Sequence, residues 1–289
     1  MRALIAILFA LGSVMPAGRG VSVSGDRAEA LAARVIANQH RNDRALYDFE
    51  RVERRISYQD HTAASDETYR LVPTGTGRLS LLIKRGDQPV SLGSYQKELR
   101  EWQEVLLHAI DPNDPREQHS EQVRDRRDRK RAELIDAIGR AFHFTWLGEE
   151  EVNGRKLAHI ALDPDPSFRP TTRETEMLRH VRANAWIDVE AGQLVRGRAD
   201  ITSDISAGGG FAGKIYSGGW FEIEQAEATP GVWLPVRTEY SIRGRMFVFS
   251  FTEHKLDESS RYRYIGTARQ ALEVARRDIA SGKPFPGER

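Results

Sequence analysis

Ser94-Tyr95-Gln96-Lys97 comes nearest to a catalytic spacing in this chain. A serine nucleophile with a lysine base one helical turn later is the S-x-x-K arrangement of penicillin-binding enzymes. That chemistry also needs S-D-N and K-T-G elements, and neither follows, so Ser94 reads as a helix N-cap. No G-x-S-x-G or Walker-type loop is present. The eight histidines form neither H-x-H nor H-E-x-x-H; His143 and His159 are the two that a sheet could bring together as metal ligands. Asp163-Pro164-Asp165-Pro166 offers two carboxylates to calcium without EF-hand spacing, and reads as a turn. Glu149-Glu150-Glu151 reads as a solvated run. Gly208-Gly209-Gly210 is followed by Phe211 and a strand-like segment, which suits a hairpin loop better than a phosphate cradle before a helix. Cysteine is absent, which excludes disulfides, thiolate metal sites and thiol nucleophiles. These residues imply no cofactor, no metal and no enzymatic activity.

The elements that would hold such residues alternate in kind. Asp26–Arg44 repeats small and apolar residues at helical steps, with Asp26 placed to cap. The period then changes to two through Leu46–Gln59, Thr68–Pro73 and Gly77–Arg85. Tyr95–Ile110 and Gln118–Phe142 are helix-favouring, separated by Asp111-Pro112-Asn113-Asp114-Pro115. Strands resume at Phe142–Leu147, Arg155–Asp163, His180–Val189, Leu194–Thr202, Lys214–Ala228, Trp233–Arg243, Met246–Leu256 and Tyr262–Gly266. Turn residues separate several of them, among them Asn153-Gly154, Ala191-Gly192 and Arg243-Gly244. Thr267–Ser281 closes the pattern as a helix.

Consecutive strands joined by short turns predict an antiparallel meander, and one apolar face per strand predicts a sheet with a wet side and a greasy side. In Trp233–Ile242 the shared apolar face is Leu234, Val236, Tyr240 and Ile242. About ten strands in one sheet must curl. The expected fold is mainly β (α+β): a curved antiparallel sheet, or half-barrel, of about ten or more strands with N-terminal, central and C-terminal helices.

Ahead of this comes Arg2, the uncharged run Ala3–Met15, then Pro16-Ala17-Gly18. That is the layout of a secretory signal peptide, and the run is too short to span a bilayer comfortably. The expected organisation is a signal peptide over 1–20 and a single domain over 21–289 with a helical insertion at about 95–142. The expected location is the periplasm or the exterior. Lys and Arg number 43 against 42 Asp and Glu; losing Arg2 and Arg19 turns a net charge of +1 into −1. This balance gives no general attraction for nucleic acid. Arg124–Arg131, with six basic and two acidic residues, is the sharpest local excess and reads as a solvated helix face with internal ion pairs.

Val152-Asn153-Gly154-Arg155, Ala185-Trp186-Ile187-Asp188, Gly192-Gln193-Leu194-Val195-Arg196, Phe221-Glu222-Ile223 and Gly231-Val232-Trp233-Leu234-Pro235 together resemble the exported lipoprotein-carrier-like (LolA/LolB-like) superfamily. Its members are the periplasmic lipoprotein chaperone, its outer-membrane receptor and sigma-factor regulator relatives. The resemblance spans about half the chain, from Gly148 to Gly266. It implies a half-barrel whose concave face shelters acyl chains, and hence a carrier or binding protein for a lipid, a lipoprotein or another amphipath. Trp186, Val236, Tyr240, Phe247 and Phe249 are the candidate cavity-lining residues. The alternative is an envelope sensor or assembly protein that uses the sheet as a platform for a protein partner. Neither reading involves a transmembrane span.

Overall fold

The computed structural model describes residues 23–60, 62–111, 113–207 and 213–283. The signal-peptide reading of residues 1–20 and the Gly208-Gly209-Gly210 loop lie outside them. The described residues form five α-helices: α1 Val23–Ala45, α2 Leu92–Ala109, α3 Pro115–Ala141, α4 Arg173–Glu176 and α5 Ala268–Ser281. The strands are β1 Phe49–Gln59, β2 Thr62–Pro73, β3 Arg78–Arg85, β4 Gln88–Pro89, β5 Phe142–Val152, β6 Arg155–Pro164 and β7 Val181–Asp188. Then follow β8 Gln193–Ile201, β9 Ile205–Ala207, β10 Gly213–Ile215, β11 Trp220–Thr229, β12 Val232–Met246 and β13 Phe249–Tyr264.

These thirteen strands make an open antiparallel sheet in the order β4-β3-β2-β1-β13-β12-β11-β8-β7-β6-β5, with β10 pairing β12 and β9. The fold is therefore mainly β, with helices at the start, middle and end of the chain, as the pattern predicts. The chain divides into two compact units, Met1–Asp43 with Arg129–Lys255, and Arg44–Asp128 with Leu256–Arg289.

In the first unit, Leu31, Val35 and Ile36 of α1 and Leu134, Ile135 and Ile138 of α3 cover the apolar face of the strands. They pack on Ile160, Ala185, Ile187, Phe221, Ile223, Tyr240 and Ile242. A buried polar net fixes the end of α1 to that face. Asn42 donates from Nδ2 to Gln193 Oε1 at 2.9 Å and accepts from the Trp233 backbone N–H at 3.1 Å. Gln225 donates to Gln39 at 3.2 Å, and Gln39 donates to Asp43 at 2.8 Å. Arg131 on α3 pairs with Asp43. Burial holds the Asp43 carboxyl above its ordinary range, and Arg131 and Gln39 offset only part of that.

In the second unit, Val52, Val72, Leu81 and Ile83 pack under Leu99, Trp102 and Leu106 of α2 and Leu272 and Val274 of α5. Arg70 lies buried among them and pairs with Glu50. It also reaches Tyr95 Oη at 2.8 Å and Asp278 Oδ2 at 2.6 Å, which ties the strands to both helices. On β1, Glu53 accepts from Arg51 Nη2 at 3.0 Å and from Arg55 Nε at 2.8 Å. Burial pushes the Glu53 carboxyl up, but Arg51, Arg78 and Arg55 outweigh it and hold the group below its ordinary range.

β2 begins at Thr62 and β5 runs to Val152, both longer than expected, and the strands differ from those expected at three further places. The stretch Lys214–Ala228 is split, because a turn at 216–219 separates β10 from β11. The expected strands Met246–Leu256 and Tyr262–Gly266 are one long strand, β13. Arg243-Gly244 is not a turn. Gly244 lies inside β12, where an added Cβ would come within 2.4 Å of the Lys214 carbonyl oxygen and 2.7 Å of the Phe251 ring. Glycine is needed there for close approach, and the chain reverses at Phe247-Val248 instead.

Candidate functional site

The five sequence-derived candidates fall in four places, all within the first unit. Tyr240 is buried in the core beneath the helices and stacks on Phe221, ring centroids 6.2 Å apart. Val236 is half-buried, at the point where the β11–β12 register shifts between Glu224↔Arg237 and Gln225↔Pro235. Trp186 lies on the opposite face of the sheet from Tyr240: the register runs Tyr240–Phe221–Ala199–Ala183, and Ala183 and Trp186 point to opposite sides of β7. Phe247 and Phe249 stand at the tip of the β12–β13 hairpin.

Trp186 belongs to a ladder of planar and charged side chains across the wet face. His159 stacks on it at 4.5 Å with an interplanar angle of 9°, and the Arg196 guanidinium lies 5.1 Å from its ring centroid. Arg196 and Arg198 both pair with Glu222. The Arg198 guanidinium sits 4.9 Å from the Trp220 ring centroid, and Trp220 meets His254 edge-on. His254 in turn bonds Glu239 at 2.8 Å. The physical cause is the alternation: every second residue on β7, β8 and β11 shares this face, and adjacent strands bring opposite charges and π-faces within reach.

At the hairpin tip the chemistry is different. Met246 is 49% exposed, Phe247 56%, Val248 86% and Phe249 74%. Four consecutive apolar side chains thus stand in water at one point. Phe247 has φ of +52°, a backbone region that bulky residues rarely occupy. Arg245 Nη1 donates to the Phe247 carbonyl at 3.1 Å, which supports the turn from below. The base of the hairpin is anchored: Gly244 pairs with Ile215 on β10, and Ile215 and Phe251 pack against the core.

Ser91, not Ser94, is the N-cap of α2; it accepts from the Ser94 N–H at 3.1 Å, and the helix begins three residues earlier than expected. The Ser94 hydroxyl meets Ser91 Oγ at 2.9 Å, while Lys97 reaches toward Glu101 at 3.9 Å. His143 and His159 lie at separate points of the β5–β6 ladder, opposite Asp163 and Gly148. Asp163 pairs with Arg182 at 2.9 Å, whereas Asp165 accepts from the Ser167 N–H at 2.7 Å as a turn former. The basic run on α3 has partners of its own. Arg124 donates to the Gly75 carbonyl, Lys130 pairs with Glu174 at 2.8 Å, and Arg131 is held by Asp43. Among the described residues no group of three or more His, Cys, Asp or Glu could hold a metal ion.

The motif residues behind the resemblance are structural anchors. Asp188 Oδ1 accepts from the N–H groups of Glu190 and Ala191 and shapes the turn into β8. Arg34 and Asn38 of α1 donate to the carbonyls of that turn, and Gly192 has φ of +64° there. In the second unit, an open cleft of about 440 Å³ runs along α5, lined by Arg263, Tyr264, Gln270, Glu273 and Arg277 among others. Its mixed charges suit neither an acyl chain nor a single anionic group.

No family model matches the chain, and no curated protein matches it. Among solved structures it is similar to one from Vibrio parahaemolyticus assigned as an outer membrane lipoprotein-sorting protein domain. That likeness has 8% identity and a TM-score of 0.32, and covers 78% of this chain and 91% of that one. It is also similar to a DUF1329 family protein from Desulfovibrio piger, at 11% identity and a TM-score of 0.30, covering 84% and 94% of the two chains. A LolA superfamily protein from Nitrosomonas europaea has 10% identity and a TM-score of 0.29, with the same coverage, 84% and 94%. Among the described residues, no helix is long and apolar enough to cross a membrane.

Proposed function

We propose that the chain is an exported, non-enzymatic binding protein for an amphipath, such as a lipid or the acyl chain of a lipoprotein, in the cell envelope. What supports this reading is the contiguous apolar run Met246–Phe249, exposed at the end of a hairpin whose base is held by the core. Isolated exposed apolar residues are ordinary, but four in succession at a protruding turn expose surface that favours an apolar partner. Phe247 and Phe249 are the residues assigned to ligand contact.

Native mass spectrometry of the gently purified protein, followed by titration with a fluorescent fatty acid, tests the reading. Co-purified lipid is expected, together with saturable uptake that weakens in the Phe247→Ser/Phe249→Ser variant. Lipid-free protein that takes up no fatty acid would sink it.

A second reading, a platform for a protein partner, is favoured by the His159–Trp186–Arg196–Glu222 ladder, which presents a rigid polar face. Photo-crosslinking from position 182, next to the ladder, would capture a discrete envelope protein if this face docks one. Loss of that adduct in the Trp186→Ala/Arg196→Ala variant is the expected companion result.

A further inference from the structure

The apolar hairpin tip carries a charge pattern as well as a greasy surface. Between Ile242 and Phe251 the only charged residues are Arg243 and Arg245, directly below Met246-Phe247-Val248-Phe249. Arg243 is exposed, and Arg245 is opposite Lys214 in the β10–β12 pairing. Asp204, just before β9, is engaged by Lys214 at 2.7 Å. An apolar end above a cationic collar matches the profile of a lipid bilayer with an anionic surface, in which hydrocarbon lies beneath a negative headgroup layer.

The backbone points the same way. The turn has positive φ at Phe247 and not at Val248, the sign pattern of a type II′ hairpin, whose first position favours glycine. A phenylalanine there works against the turn, and more than half of it stays exposed in this protein. Strain of this kind persists where the strained side chain has another task.

We propose that the β12–β13 tip enters an anionic lipid surface, with Phe247, Val248 and Phe249 in the acyl boundary and Arg243 and Arg245 at the headgroups. This deepens the amphipath-binding reading and rests on it, by naming a bilayer surface as the place where the protein meets its ligand. Three apolar side chains do not hold a protein on a membrane permanently. Each arginine near a negatively charged surface adds about fivefold in affinity, so binding is reversible and salt-sensitive.

The test is co-sedimentation of the full chain, expressed through its own export route, with vesicles of phosphatidylcholine alone or mixed with phosphatidylglycerol. Binding to the anionic vesicles is expected, weaker at high salt. It should fall at least tenfold in Phe247→Ser/Val248→Ser/Phe249→Ser and lose its anionic preference in Arg243→Gln/Arg245→Gln. Val152→Ser, which removes an exposed apolar residue from the β5–β6 hairpin, should bind as the parent does, and circular dichroism checks that each variant is folded. Equal binding by the parent and the triple variant would overturn the proposal. So would absence of vesicle binding while fatty-acid uptake persists, an outcome that leaves the amphipath reading standing. Concentration-dependent dimerisation abolished by the triple variant, without vesicle binding, would assign the tip to a second copy of the chain and likewise overturn it.

Discussion

The hairpins β5–β6 and β12–β13 both reverse the chain in two residues, and they do so with opposite chemistry. Asn153 and Gly154 have φ of +51° and +75°, the pair of positive angles that a type I′ turn requires, and Asn-Gly meets that requirement at little cost. Phe247-Val248 performs the same reversal with a ring at the strained position and a β-branched residue after it. Flanking charge differs too: acidic Glu149-Glu150-Glu151 precedes the first turn, and Arg243 and Arg245 precede the second. A turn optimised for reversal is polar and flexible in sequence. One that keeps exposed aromatic residues against its own backbone preference gives up stability, a trade that the proposed lipid contact at Phe247 and Phe249 would account for.

Gly244→Ala, just below the second tip, drives a methyl group into the Lys214 carbonyl and the Phe251 ring, and should cost about 2–3 kcal/mol in a urea melt. Gly154→Val at the first tip forces a β-branched residue to a positive φ and should cost about 2 kcal/mol, leaving vesicle binding unchanged. Phe247→Gly should act the other way on stability: thermal denaturation shows a gain of about 0.5–1 kcal/mol, the relieved left-handed strain less the extra chain entropy of glycine, while lipid binding weakens. A gain in stability without loss of binding would remove the functional account of the strain.

The smallest expected effect separates stability from binding by pH. Glu53 titrates below its ordinary value in the folded state, so its stabilising contribution is complete above the unfolded value near 4.5 and is lost as pH falls through the folded one. Glu53→Gln is therefore expected to be less stable than the parent at neutral pH, with the gap closing in acid. The tip sequence between Ile242 and Phe251 contains no group that titrates there, so vesicle affinity of the parent should stay level over the mildly acidic range in which it remains folded. A parallel fall in both would tie lipid contact to the fold of the second unit.

Legibility in the sequence followed the range of the forces involved. The alternation in Arg155–Asp163 and Leu194–Thr202, the Asn153-Gly154 turn and the C-terminal helix were readable because each depends on neighbours within a few residues. The first residues of α2 were misplaced, since Ser91 and Ser94 are equally good caps locally and the cap went to the residue that begins the packed helix. Gly244 looked like a turn former because glycine serves both turns and close approaches, and only the neighbouring β10 backbone distinguishes them. With the turn four residues further on, Phe247 and Phe249 stand at the hairpin tip.

The antiparallel meander and the helices at its start, middle and end are written in the amino-acid sequence, as are the aromatic residues its strands carry. Period, turn chemistry and charge balance are local properties, and they survive without knowledge of partners in space. Tertiary structure alone decided which of those aromatics share a surface. Trp186 went into a polar ladder because strand pairing set Arg196 and His159 beside it, Tyr240 went beneath the helices, and Phe247 and Phe249 were left in water. Which neighbour a side chain meets depends on register between segments far apart in the chain, and no local pattern contains that register.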